Sequence, residues 1–410
     1  MKKTLTICLI LLCAAAAFAD EKVAMPRLEI PTARSAGMGG AHVAYTDNVF
    51  GLLINPSAIM RVNQRSAFAI SPTLLNPQST FQLIKPVRGA VSGDVGRIGD
   101  AMDILSKKHG KVPLGLDLRE FPLSIAWVAN GLGFGLWDRV FVNPNIIGTT
   151  VEMNVYGDVM LPVGFAVKVL DAEHHKVDAG IVIKPFVRIK TTGAEVQITE
   201  LMDNSFDFMD HFSVPVILGA GVDMGLTYRW TEGFTAGITF ADIFTRGKVV
   251  GNIAGEDTNS YYIPFSLNLG AAYDFKIGKF WADAPRFVAD MGIAVMADWH
   301  DFVNIFQQDD YLKRNAKLNF SAGLQVSMFN DIFMVRAGMN EMLPAVGLGM
   351  DLGTFEVNLA YYGKELGLEP GQLSAAALDL TIAFRPDAKK RDWPWNKRSL
   401  VGMIAKSENL

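Results

Sequence analysis

The sequence predicts an all-β protein: a fourteen-stranded antiparallel transmembrane β-barrel with an N-terminal plug and short helices in its outer loops. Three observations predict it. Apolar and polar residues alternate over long segments, many of these segments reach the ~9 to 11 residues that cross a membrane at a tilt, and no uncharged apolar stretch after the first twenty residues reaches the ~18 that a spanning helix needs. Half of the 410 residues are apolar, which excludes a disordered chain. Lys and Arg number 38 against 42 Asp and Glu, a net charge of −4 with no basic block, so the backbone of a nucleic acid finds no electrostatic footprint.

Residues 1–19 read as a secretory signal peptide. Lys2 and Lys3 form the basic start, residues 5–17 the apolar core, and Ala17-Phe18-Ala19 the small-x-small cleavage site, so the mature chain begins at Asp20. Both cysteines, Cys8 and Cys13, fall inside this signal, which leaves the exported chain no thiol for a disulfide, a metal or a nucleophile. Residues 20–63 are rich in small side chains, too long for a frayed end and too apolar for a linker; they are expected to plug the lumen.

Residues 64–385 form the expected barrel, with strands at 64–75, 114–129, 131–143, 150–170, 176–190, 213–230, 233–244, 260–276, 285–300, 315–328, 331–339, 343–352, 354–363 and 372–385. The clearest is 213–230, where Val216, Leu218, Ala220, Val222, Met224, Leu226, Tyr228 and Trp230 interleave with Gly219, Gly221, Asp223, Gly225, Thr227 and Arg229. Successive side chains of a strand point to opposite faces, so the pattern gives one greasy and one small or polar surface. A soluble sandwich shares that signature. Strand length, aromatics near the ends of the apolar face (Tyr228, Trp230, Tyr261, Phe384) and mid-strand charges such as Lys184, Asp223, Asp290 and Glu356 favour a barrel with lipid outside and a polar lumen inside.

The connections agree. Outer-membrane barrels have short periplasmic turns and long outer loops. Turns at Asn130, 171–175, 231–232, 329–330 and Gly353 are tight, while 76–113, 191–212, 245–259 and 301–314 are long. Two long loops carry helical stripes: Val95, Ile98, Met102 and Leu105 in one, Leu201, Met202, Met209 and Phe212 in the other, and the latter group is a candidate greasy entry site. The tail, residues 386–410, mixes Lys389, Lys390, Arg391, Trp393, Trp395, Lys397 and Arg398, a basic and aromatic composition suited to the membrane interface.

The run Ala33-Arg34-Ser35-Ala36-Gly37-Met38-Gly39-Gly40-Ala41, then Ala44-Tyr45-Thr46-Asp47-Asn48 and Asn55-Pro56-Ser57-Ala58, resembles the start of FadL-type outer-membrane transporters, with their PorV-like and spirochaete relatives. Gly37, Gly39, Gly40, Asn55 and Pro56 carry the motif, and Ser57 stands where fatty-acid transporters commonly have Ala. The resemblance implies a fourteen-strand barrel with a plug that passes hydrophobic small molecules such as long-chain fatty acids across the outer membrane; the PorV-like alternative is a scaffold or shuttle component of a protein secretion system, with a protein partner. Glycine lets a backbone turn tightly in a narrow lumen, and proline fixes the dihedral where plug becomes strand.

A fatty-acid carboxylate wants a cationic partner, and strand parity turns Arg139, Lys184, Arg188 and Arg336 to the lumen, where each can instead pair with lumen acids such as Asp290 or Glu356. Outer-membrane lipid is the expected partner of the apolar face. The six histidines show no spacing for a zinc site, and no nucleophile elbow or phosphate-binding loop occurs, so neither an enzyme nor a cofactor is expected.

Overall fold

A computed structural model describes residues 22–28, 32–46, 48–62, 64–82, 111–113, 115–147, 150–191, 195–197, 213–281, 290–303 and 314–386, with the single positions 200, 283 and 288. The expected signal peptide, the 92–108 stripe, Leu201, Met202, Met209, Phe212 and the tail beyond residue 386 lie outside the described residues.

Alternation in the chain becomes a two-faced wall. Fourteen membrane-crossing strands run in order: β1 Gln64–Leu75, β2 Gly115–Ala129, β3 Leu132–Ile147, β4 Thr150–Met160 continued by Val163–Asp171, β5 His175–Lys190, β6 Pro215–Trp230, β7 Phe234–Ala241 continued by Arg246–Asn252, β8 Ser260–Tyr262 continued by Ser266–Lys276, β9 Gly292–Trp299, β10 Phe320–Met328, β11 Phe333–Asn340, β12 Leu343–Asp351, β13 Phe355–Glu365 and β14 Ser374–Phe384. Each pairs antiparallel with its neighbour, and β14 returns to β1 through Phe384 opposite Phe68 and Ala377 opposite Leu75. Closure removes the unpaired edges that an open sheet exposes, the condition for strands in hydrocarbon. On β6, Leu218 is 52 % exposed and Asp223 0 %, so the greasy face points out and the polar face in.

Within the described residues, three strands are interrupted. Pro162 and Pro264 cannot donate to the ladder, and β4 and β8 break beside them. The wall stays paired at the first break because Leu161 N donates to Pro185 O and Gly135 N to Pro162 O. β7 breaks at 242–245, where Asp242 takes a left-handed φ of +56° and its N–H donates to Asp223 Oδ1 at 2.8 Å. Beyond that break Arg246–Asn252 still pairs with the first half of β6, so strand replaces part of the long loop expected at 245–259.

The segment Lys22–Ala24 adds parallel to Ser260–Tyr262 of β8, an edge that β9 does not reach because its pairing stops at Leu269 opposite Trp299. The same register corrects one expectation: β8 and β9 part at Lys276 opposite Gly292, so Asp290 lies in the connection and not mid-strand.

The chain ahead of β1 lies within the wall's circumference. It carries α1 (Ala33–Gly37), α2 (Gly51–Ile54) and a 3-10 turn (Pro56–Met60). Thr32 caps α1, its hydroxyl accepting from Ser35 N while Ser35 Oγ accepts from Thr32 N. Phe50, Leu52, Ile59 and Val62 pack with Val128, Trp137, Met160, Val182, Phe186 and Ile217 of the wall in the largest apolar cluster. The hydrophobic core is therefore the contact between this segment and the barrel's inside.

Candidate transport path

Backbone approaches backbone where the inner segment meets the wall, and glycine makes the room. A Cβ on Gly347 of β12 would lie 2.9 Å from Gly37 Cα, and one on Gly180 of β5 would lie 2.4 Å from Pro56 O. Gly225 of β6 gives way to Asn55, whose Oδ1 would meet a Cβ there at 2.1 Å. Gly237 and Gly270 accommodate Val43 and Ala44, and Gly323 and Gly338 accommodate Met38. Gly39 and Gly40 hold φ of +68° and +84°, and a Cβ on Gly39 would stand 2.5 Å from the backbone of Met339. The alternation of residues 213–230 placed Gly225 on the small or polar face; the fit of these glycines to particular inner residues needs the tertiary structure.

The Asn-Pro-Ser element is tied by polar side chains. Asn55 Oδ1 accepts from Ser57 N at 3.2 Å and Ser57 Oγ at 2.7 Å, and its Nδ2 donates to Val43 O at 3.0 Å. Ser57 Oγ lies 2.6 Å from Thr227 Oγ1 of β6, so the serine that departs from the family pattern bonds the wall directly. All three side chains are fully buried.

The four candidate cations point into the lumen and have protein partners. Arg139 sets Nε and Nη2 each 2.8 Å from Asp117. Arg188 binds Asp158 at 2.6 and 2.8 Å and donates from Nη1 to Pro26 O, while Lys184 lies 2.7 Å from Asp223 and 3.1 Å from Asp242. Arg336 bonds amides, Gln325 Oε1 at 2.8 Å and Asn358 Oδ1 at 2.7 Å. Glu356, an expected partner, instead stands 3.2 Å from Arg385. Strand register decides the pairing: Arg188 and Asp158 face each other across β5 and β4. A further pair missed by the sequence reading, Arg119 with Asp379, is wholly buried.

Asp298 of β9 is another residue the sequence reading passed over. Its carboxylate accepts from His42 N at 2.5 Å and Val43 N at 2.7 Å, pinning the inner segment, and His300 Nε2 lies 4.0 Å away. Burial, with His300 beside it, pushes the His42 imidazole down to about 3, so the ring is neutral at ordinary pH. The parity that exposed the four cations would also have flagged Asp117, Asp158, Asp298 and Asp379.

Two chambers flank the inner segment. One of about 630 Å³ opens toward the short-turn end and is bounded by Arg34, Tyr45, Asp274, Asp331, Glu356 and Arg385. The other, about 230 Å³, lies toward the long-loop end beside His42, Leu53, Lys184, His300, Asn319 and Tyr362.

The barrel fold has solved counterparts. The Pseudomonas putida toluene transporter TodX aligns with a TM-score of 0.51 at 12 % identity, over 89 % of this chain and 99 % of that one. The chain has the FadL-type barrel fold. Two further structures align less closely: the Ralstonia pickettii toluene transporter TbuX, TM-score 0.46 and 12 % identity over 89 % and 100 %, and a Pseudomonas aeruginosa FadL homologue, 0.42 and 11 % over 87 % and 99 %. No protein-family model and no curated protein matches the sequence. In this FadL-type frame, Gly37, Gly39, Gly40, Asn55 and Pro56 all lie on the inner segment, in contact with the wall.

Proposed function

We propose that this outer-membrane barrel transports hydrophobic small molecules, long-chain fatty acids among them, and that residues 22–62 act as the plug. The observation that carries the reading is the division of the lumen: a segment packed onto the wall through a buried apolar core separates two chambers, an arrangement suited to selective passage and unsuited to a nonspecific porin. The outward faces of β4 to β6 are continuously apolar, as outer-membrane lipid requires. Residues 1–19 direct export and are removed, so the mature mass should begin at Asp20.

A carboxylate ligand would have to share Arg139, Lys184 or Arg188 with their aspartates. Native mass spectrometry of the detergent-purified mature protein, followed by lipid extraction, tests the reading. A co-purifying apolar ligand, lost on Lys184→Gln or Arg188→Gln, supports it and locates the polar end of the ligand. A ligand-free barrel that retains a protein partner overturns it in favour of the secretion scaffold.

A further inference from the structure

The hairpin of β4 and β5 is bare along one side at the short-turn end of the barrel. β5 stays paired down to His175, opposite Trp230 of β6. On β4 the last partner from β3 is Leu132, opposite Phe165, and the last bond on that side runs from Ala166 N to Gly131 O. β3 reaches no further because the chain turns at Asn130, which holds a left-handed φ of +54°. Residues 167–171 therefore pair with β5 alone, through Leu170 opposite Val177 and Asp171 opposite Lys176, and no described strand meets their other edge. Val167, Val169 and Leu170 are 41, 63 and 47 % exposed.

The height of this edge makes it costly. Val177 lies between Leu170 and Tyr228, so the edge sits at the level of the aromatic strand ends, where the wall leaves the hydrocarbon. Acyl chains cannot satisfy a free backbone N–H or C=O there, and an open strand edge is a template for another strand. Lysine often guards such an edge, but Lys168 is held by Asp171 at 3.0 Å.

The chain carries a segment that can reach it. β14 ends with Phe384 at the same end of the barrel, and residues 387–410, outside the described residues, follow. The wall order β14, β1, β2, β3, β4 puts four strand spacings, about 19 Å, between the root of this tail and the open edge. Residues 387–398 can extend to about 40 Å, and their Trp393, Trp395 and five Lys and Arg residues suit a course along a membrane interface. Next comes Ser399-Leu400-Val401-Gly402-Met403-Ile404-Ala405, an uncharged run of strand length between Arg398 and Lys406. The tether keeps this run at a high effective concentration near the edge, an advantage over a strand from a second copy or another protein.

We propose that residues 399–405 add as a strand to residues 167–171 of β4 and complete the wall at the β2–β3 turn. The inference stands apart from the transport reading. The chain beyond the signal has no cysteine, so paired thiols report the contact directly. In the full chain, Val169→Cys is combined in turn with Leu400→Cys, Val401→Cys, Gly402→Cys, Met403→Cys and Ile404→Cys, oxidised with copper phenanthroline in native outer membranes and read by thiol loss and non-reducing gel mobility. Opposed residues of neighbouring strands bring their Cβ atoms close, and alternate residues face opposite sides. Intrachain disulfides should thus form at every second tail position, several-fold above controls made with Val295→Cys, whose strand is paired on both sides. Ala166 N points toward β3 and, two residues on, Lys168 N points the same way, so Lys168→Pro removes a donor from the open edge and spares the ladder to β5. It should lower the disulfides to the control level while heat-dependent gel mobility shows a folded barrel.

Disulfides no more frequent than in the controls, equally frequent at all five tail positions, or formed with a second copy or another protein overturn the assignment, as does a yield unchanged by Lys168→Pro. If Lys168→Pro does not fold, the alternation in the cysteine series decides. A barrel that carries no hydrophobic ligand would overturn the substrate reading while leaving the disulfide result standing.

Discussion

The lumen is held by two kinds of contact, and they differ in what they tolerate. On the side built from β2 to β6, where every strand but the interrupted β4 runs 15 or 16 residues, the wall carries buried ion pairs: Arg139 with Asp117, Arg188 with Asp158, Lys184 with Asp223. On the side built from β9 to β12, strands of 8 and 9 residues receive the inner segment mainly through glycine and through Asp298. A buried ion pair is sensitive to the loss of either partner and indifferent to much else. A glycine contact is sensitive to any added atom, because nothing in it can rotate away.

The largest effect should come from breaking the charged side by halves. Arg188→Met leaves Asp158 buried without its partner and should cost about 3–5 kcal/mol, read as a lowered unfolding midpoint in urea, whereas Arg188→Met combined with Asp158→Leu should recover most of the loss. Equal losses in the single and double variants would show that the pair acts through packing and not charge. On the glycine side, Gly347→Val should cost about 1–3 kcal/mol by overpacking against Gly37, and no second substitution on the wall should repair it. Gly251, which faces open space, is the control and should accept Ala with little change.

Asn55→Ala removes hydrogen bonds to Ser57 and Val43 and leaves buried donors without partners, a cost of about 1–3 kcal/mol. Ser57→Ala, which restores the residue common in fatty-acid transporters, loses only the bonds to Asn55 and Thr227 and should cost less than Asn55→Ala by the same measurement.

At neutral pH the smallest difference comes from His42, whose contribution shows only on acidification. His42 has a folded pKa below its unfolded value, so the unfolded chain takes up a proton first as pH falls. The contribution of neutral His42 is complete above about 6.5 and is lost progressively as pH falls toward about 3. His42→Gln should therefore flatten the decline of the melting temperature across that window relative to the native protein. Parallel curves would show that the histidine does not titrate there.

The number of strands, their approximate ends and their two faces were legible in the sequence, because a period of two is a local property that each strand displays by itself. Residues 213–230 show it: the structure begins that strand at Pro215 and exposes Leu218, Met224, Leu226 and Trp230. The lumenal orientation of Arg139, Lys184 and Arg188 followed from the same parity. Their partners did not, since Asp117, Asp158 and Asp223 become neighbours only once strands are set in register, and register lies between strands. Asp290 shows the converse failure, a period carried a few residues past the point where pairing ends.

The motif around Gly37 to Pro56 marked the inner segment, but its seat is divided among glycines spread from Gly180 to Gly347, each unremarkable in its own strand. By itself, then, the sequence determined an alternating chain that must close on itself in a membrane with its polar face inward. Only the tertiary structure decided which aspartate meets which cation, where the inner backbone rests, and that two chambers face each other across it. Periodicity is written residue by residue, whereas those contacts join different strands: the ion pairs Arg139 with Asp117 and Arg188 with Asp158 lie 22 and 30 residues apart, and the seats of the inner segment, such as Gly180 with Pro56 and Gly347 with Gly37, more than 100.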